Sequence, residues 1–194
     1  MRRLCVFCGS STGNDAVYAT NARFIGTEMV KRRLGLVYGA GNIGLMGVLA
    51  DEVLRTGGEV VGVIPQALVD REVAHDGLTD LHIVATMHER KALMADLADG
   101  FAALPGGFGT ADELFEILTW AQLGLHAKPI GLLNTGGYFD GLLAWLDHMV
   151  TEGFLRPEHR RLLLTDDEPG KLLDNLLAYR TRMTTTKWLD AGER

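Results

Sequence analysis

The chain has 194 residues, a net charge of −6 and 47% hydrophobic residues, a globular balance that excludes a disordered or low-complexity protein. The acidic charge argues against nucleic acid as a partner. No run reaches the ~18–20 apolar residues of a membrane helix, so a membrane partner is not expected either. Glycine stands out, with 24 residues against a usual ~7%, and it is clustered rather than periodic.

Taken in chain order, short β-rich apolar runs alternate with helical patterns. The first run, Leu4–Cys8, is too short for a signal-peptide core, so a cytoplasmic location is expected. Cys5 and Cys8 spell C-x-x-C, but three positions apart on a strand they face opposite sides, and buried structural thiols are predicted. Further strands are expected at Leu36–Tyr38, Val60–Ile64, His82–Ala85, Phe101–Leu104, Ile130–Leu133 and Leu162–Thr165. Several are apolar throughout, as strands covered on both faces are. Between them, Val17, Phe24, Ile25 and Met29 are placed on one helix face. Leu114, Ile117, Leu118 and Ala121 form a second such face, and Leu142, Leu146 and Met149 a third. The alternation predicts an α/β fold: one Rossmann-like, doubly wound domain over residues 1–180, with a mainly parallel sheet of about seven strands. Gln66–Asp80 is the longest irregular stretch, and the polar tail 181–194 is expected to fray.

Ligands of such folds sit beyond the carboxyl ends of the strands, and the glycines cluster there. Gly9-Ser10-Ser11 follows the first strand, and Gly39-Ala40-Gly41-Asn42-Ile43-Gly44 the second. Pro105-Gly106-Gly107-Phe108-Gly109-Thr110 follows the strand ending at Leu104. The middle loop matches G-x-G-x-x-G, but the next strand ends Val63-Ile64-Pro65 without the acidic residue of a dinucleotide site, which disfavours an NAD-linked oxidoreductase. The third loop is phosphate-cradle design, with Gly106, Gly107 and Gly109 freeing the backbone and Thr110 expected to open a helix. It lacks the Gly-Lys-Ser/Thr ending of a nucleoside-triphosphatase loop.

Glu113 has two readings. Thr110-Ala111-Asp112-Glu113 is a capping-box pattern, in which Glu113 reaches back to the Thr110 amide. Alternatively Glu113 is a carboxylate at the mouth of an anion site, able to stabilise an oxocarbenium-like transition state or activate water. In Met87-His88-Glu89-Arg90-Lys91, Arg90 falls on an apolar stripe near a helix start, where a cation is disfavoured. It either snorkels or meets a fixed anionic or π-rich partner. Lys91 alone reads as a solvated charge. The histidines lack metal-ligand spacing, and there is no G-x-S-x-G elbow. Trp120 and Trp145 suit the core or a subunit interface.

Met87–Lys91 matches an M-H-x-R-K signature and Pro105–Glu113 a P-G-G-x-G-T-x-x-E signature. With Thr119-Trp120-Ala121-Gln122-Leu123-Gly124 and Lys128–Asn134, the chain resembles the LONELY GUY (LOG) group of cytokinin riboside 5′-monophosphate phosphoribohydrolases from Cys8 to about Phe154. The resemblance implies a homodimeric Rossmann-like enzyme that cleaves the N-glycosidic bond of an adenine-type nucleoside 5′-monophosphate. Free base and ribose 5-phosphate would result, with no metal or organic cofactor. It implies Arg90 and Glu113 as the catalytic pair. It places Ser10, Gly41, Glu72, Met87, Lys91, Gly106, Gly107, Phe108, Gly109, Thr110 and Thr119 at the substrate. Two positions depart from the group: Ala40 stands where glycine is usual, and Thr86 where Asp is usual. A non-catalytic carrier of a nucleotide or of molybdenum cofactor is the alternative within this fold.

Overall fold

The structure, a computed structural model, describes residues 1–69 and 74–180. The expected tail at 181–194 lies outside them. Seven strands, β1 (Arg3–Phe7), β2 (Gly35–Tyr38), β3 (Val60–Pro65), β4 (Asp80–Val84), β5 (Gly100–Ala103), β6 (Ile130–Leu133) and β7 (Leu163–Asp166), form one sheet in the order β4-β3-β2-β1-β5-β6-β7. Every pairing is parallel. Each predicted strand is present, Ile130–Leu133 with the expected bounds and the others within one or two residues of theirs.

Three helices, α1 (Ala16–Lys31), α2 (Gly44–Arg55) and α8 (Pro169–Ala178), cover one face. There Ile25, Met29, Leu49, Val53, Leu172 and Leu176 pack with Leu4, Val6, Leu36 and Leu104. The other face is covered by α4 (Met87–Leu97), α5 (Phe108–Gln122) and α6 (Asp140–Thr151), whose Met94, Leu114, Ile117 and Leu146 meet Cys5, Phe7, Val37 and Phe101. Among the described residues there are also short helices α3 (Gln66–Val69) and α7 (Pro157–Arg160), and a 3-10 turn at Thr135–Gly137. The two-residue period of the inner strands sorts their side chains between the two cores, whereas the edge strand β4 leaves Leu81 and Ile83 exposed. Cys5 and Cys8 thus lie on opposite faces, free and buried, and burial raises both thiols well above the usual range.

One predicted helix face needs correction. In α1, Ala22, Ile25, Gly26 and Met29 are buried, whereas Val17 and Phe24 are exposed. Val17 and Phe24 are seven residues apart and share one line of the helix. That line is turned about a quarter-circle or more from the buried one. The apolar arc is wider than the arc the sheet covers.

The strand order reverses direction between β1 and β5. Their carboxyl ends diverge into loops on opposite faces and open a crevice, the usual ligand position in this architecture.

Candidate active site

The crevice is laced by the three glycine loops. The Gly9 N–H donates to the Pro105 carbonyl at 3.0 Å, and the Leu45 N–H to the Gly9 carbonyl at 3.0 Å. A Cβ on Gly44, at φ +63°, would collide with the Ser10 backbone. One on Gly106 would overlap the Thr110 hydroxyl and lie 2.8 Å from the Gly9 nitrogen. These glycines are therefore required by close approach of backbones at the switch point.

The helix after Pro105 begins earlier than expected. Gly107 is the N-cap of α5, with no side-chain cap, so Thr110 is the third helical residue and Glu113 lies nearly a turn farther in. The capping-box reading of Glu113 is thereby corrected: Thr110 is buried beneath Gly106 and caps nothing. The uncapped amides at Gly107–Thr110 leave the end of α5 free to meet an anion. A working cap of the same pattern stands one helix earlier. Thr86 is the N-cap of α4, its hydroxyl accepting from the Glu89 N–H at 3.1 Å. Glu89 in turn accepts from the Ala85 N–H at 2.8 Å.

That cap sets the start of α4 and so the position of Arg90. The guanidinium is buried, with 8% of the residue exposed. Its Nε donates to the Val63 carbonyl at 3.1 Å and its Nη2 to the Gly39 carbonyl at 3.0 Å. Arg90 therefore does not snorkel. Its fixed partners are neither anionic nor aromatic but peptide carbonyls near the carboxyl ends of β2 and β3, whose dipoles suit a cation. Its Nη1 approaches the Met87 sulfur at 3.8 Å. Gly39 is what admits it, since a Cβ there would overlap the guanidinium.

Arg90, Glu113, Ser10 and the run Gly107–Thr110 line one cavity of about 220 Å³, together with Cys8 and Met46. Burial pushes the Glu113 carboxyl up to about 7, against the opposing pull of Arg90; neighbouring Asp112 and Glu116 add to the rise and Lys91 resists it. A carboxyl titrating near neutrality can take and return a proton at working pH. Through Ser10 and Gly107 this cavity adjoins a second one of about 300 Å³, which Gly106, Ser11, Thr12 and Tyr138 also line.

Other predicted contacts lie elsewhere. Gly41 sits behind Met46, where a Cβ would be 2.7 Å from the Met46 methyl, and it bridges to Ala74. Met87 is 43% exposed and does not line the cavity, its sulfur lying near Arg90. Lys91 is no solvated charge: its ammonium bridges Asp112 and Glu116 of α5, at 3.1 Å each. Thr119 donates to the Phe115 carbonyl at 2.7 Å. It lines a separate, mainly apolar cavity of about 280 Å³ with Phe115, Leu118, Met149 and Phe154. Glu72 lies outside the described residues. Cys8 and Met46 were not foreseen as lining residues, although Cys8-Gly9-Ser10 marks the end of β1. Met46 gave no such signal, being one apolar residue of an amphipathic helix.

Residues 46–176 match a protein family described as "Possible lysine decarboxylase". A probable cytokinin riboside 5′-monophosphate phosphoribohydrolase of rice, Oryza sativa subsp. japonica, is 49% identical over 178 residues, 92% of this chain and 78% of that protein. A cytokinin riboside 5′-monophosphate phosphoribohydrolase of Arabidopsis thaliana is 48% identical over 178 residues, 92% of this chain and 84% of its own. The chain belongs to the LOG family. Among solved structures, the molybdenum cofactor carrier protein of Chlamydomonas reinhardtii has a TM-score of 0.68 at 18% identity, covering 91% of this chain and 98% of that one. The molybdenum cofactor binding protein of Rippkaea orientalis also gives a TM-score of 0.68, at 17% identity, covering 90% and 94%. At that identity the likeness is one of fold.

Both departures from the LOG pattern have local explanations. Ala40 takes a left-handed conformation, φ +62°, which glycine tolerates better. Its methyl is buried and turned toward Gly62, whose missing side chain leaves the space, so the methyl does not narrow a ligand's approach. Thr86 replaces the usual LOG aspartate as a working cap. The decarboxylase label finds no support in the site's residues. A pyridoxal-phosphate enzyme needs a Schiff-base lysine, and among the described residues none lines either cavity.

Proposed function

We propose that this protein hydrolyses the N-glycosidic bond of cytokinin riboside 5′-monophosphates, and of AMP, to free base and ribose 5-phosphate. The observation that carries the reading is the Glu113 carboxyl, held near neutrality in the cavity that also contains the buried Arg90 and the uncapped end of α5. The 5′-phosphate sits on the backbone amides of Gly107 to Thr110, with Ser10 beside it. This directs C1′ of the ribose toward Glu113.

As the C1′–N9 bond breaks, its electron pair leaves with the base and positive charge builds on the ribose. The Glu113 carboxylate stabilises that charge. It then takes a proton from the water whose oxygen bonds to C1′, and the proton passes to the departing base. Arg90 stays protonated throughout. Anchored by two carbonyls, it presents its remaining N–H groups to the ribose hydroxyls or to the negative charge on the leaving base. The net charge of −6 does not draw an anionic substrate in, so the local donors must.

A homodimer is part of this reading. Phe154 (87% exposed), Leu125 (69%) and Trp145 (50%) are large apolar side chains left in water. Trp145 meets Phe115 of α5 edge-on, beside the cavity that Thr119 lines. A partner covering this face would bury Trp145 and Phe154. Light scattering at micromolar concentration is expected to give twice the chain mass; a monomer would count against the dimer.

The test of activity is base release from AMP and isopentenyladenosine 5′-monophosphate, followed by chromatography, for the wild type and Glu113→Gln. Release by the wild type and its loss in a folded variant are expected. Equal release by both removes Glu113 from the chemistry. Tight nucleotide binding without release by the wild type makes the protein a carrier, the second reading that its fold neighbours supply.

A further inference from the structure

We infer that Tyr138 is a positioning residue for the phosphate loop. Its hydroxyl donates to the Gly106 carbonyl at 2.6 Å, a contact between the turn after β6 and the loop after β5, 32 residues apart in the chain. The carbonyl of Gly106 and the N–H of Gly107 belong to one trans peptide plane and point in opposite directions. Fixing the carbonyl toward Tyr138 therefore fixes the Gly107 N–H away from it. Gly107 lines both cavities, whereas Tyr138 lines only the one without Arg90 and Glu113. The hydroxyl thus aims the first free amide of the cradle into the cavity that holds the catalytic pair.

The bond matters because the Gly106–Gly107 peptide has no side chain of its own to stiffen it. It lies between two glycines, and a Cβ on Gly107 would meet no atom within 4 Å. Among the described residues, rotation of the plane is opposed by this hydrogen bond, by the close fit of Gly106 over Thr110, and by the neighbouring peptides, whose Pro105 and Gly107 carbonyls accept from the Gly9 and Ala111 N–H groups. The tyrosine, 45% exposed, is flanked by two aromatic rings. Tyr18 packs edge-on at 5.7 Å and Phe139 edge-on at 4.8 Å. The turn carrying it is closed by Asn134, whose side chain accepts from the Phe139 N–H at 2.7 Å and donates to Asp140 at 2.7 Å. Thr135, buried in the same turn, receives a hydrogen bond from Asn21 of α1 at 3.1 Å. A flanked ring on a hydrogen-bonded turn, reaching a loop of glycines, supplies order that the glycines lack.

This inference rests on the proposed seating of the phosphate at Gly107–Thr110, and the test separates the two. Tyr138→Phe keeps the ring contacts and removes only the hydroxyl. Binding of ribose 5-phosphate is measured by calorimetry, with AMP kinetics and thermal melting alongside. The wild type is expected to bind ribose 5-phosphate, and Tyr138→Phe to bind it about fivefold to tenfold more weakly, the size of one lost hydrogen bond. KM for AMP should rise by the same factor with kcat within about twofold, because the phosphate is held equally in ground and transition states. A purely structural role would instead lower the melting temperature and leave the affinity of the folded fraction unchanged. Unchanged affinity and KM in Tyr138→Phe, with a wild type that binds, overturns the positioning role alone. A wild type that does not bind ribose 5-phosphate overturns the phosphate seating and this role with it.

Discussion

Replacing Glu113 with glutamine is expected to make the protein inactive and, above neutral pH, more stable. The folded protein holds the Glu113 proton up to about 7, whereas a carboxyl in water releases it near 4.5. Between those values the native state binds more protons than the unfolded chain, so this group's contribution to stability falls as pH rises through the window. The full rise corresponds to about 3 kcal/mol. Solvent at the open side of the cavity reduces the measurable effect to about 2 kcal/mol. Glutamine is neutral at every pH and escapes the penalty. Urea denaturation should therefore show Glu113→Gln more stable than wild type by about 2 kcal/mol at pH 8.5, equivalent to roughly 4–8 °C for a domain of this size. The advantage should shrink steadily toward pH 4.5. A difference between the two proteins that does not vary with pH would refute the reasoning, because it would show Glu113 titrating alike in the folded and unfolded states.

Gly39→Ala, although outside the cavity lining, is expected to lower kcat/KM by about a hundredfold or more and stability by about 2–4 kcal/mol. The new methyl would displace the Arg90 guanidinium from both of its carbonyl partners; a fully active, wild-type-stable Gly39→Ala would show that Arg90 is not seated there. Lys91→Met keeps the buried stem and removes the bridges to Asp112 and Glu116. Its melting temperature should fall by a few degrees while KM for AMP stays within about twofold, and a tenfold rise in KM would return Lys91 to the substrate. Thr86→Ala should cost about 1 kcal/mol in denaturant unfolding by uncapping α4, and no loss at all would mean that Glu89 alone secures that end.

By itself the sequence determined the layout of the protein. Seven short β-rich runs alternating with helical patterns read as strands of one sheet, although the edge strand β4 proves largely exposed. Helical patterns between them required parallel crossovers, and the glycine clusters marked the ends at which the crevice opens. It determined as well that Cys5 and Cys8 diverge, since strand periodicity is a local property. What it left open were questions of partnership between distant segments. Whether Thr110 or Gly107 opens α5 depends on how tightly Gly106 and Thr110 pack against Gly9 of another loop, and that decides between cap and free carboxyl for Glu113. Whether Arg90 faces solvent or two carbonyls depends on the ends of β2 and β3, 51 and 27 residues away. Lys91 has the same composition as a surface lysine until α5 is laid beside α4. Tyr138 carries no local signal, because its role lies in a hydrogen bond to a carbonyl that every residue possesses. Local patterns report a residue's periodicity and propensity, whereas desolvation and hydrogen-bond partners are set only when the chain returns on itself. For that reason the pKa of Glu113 near 7, the property on which the proposed chemistry depends, belongs to the tertiary structure alone.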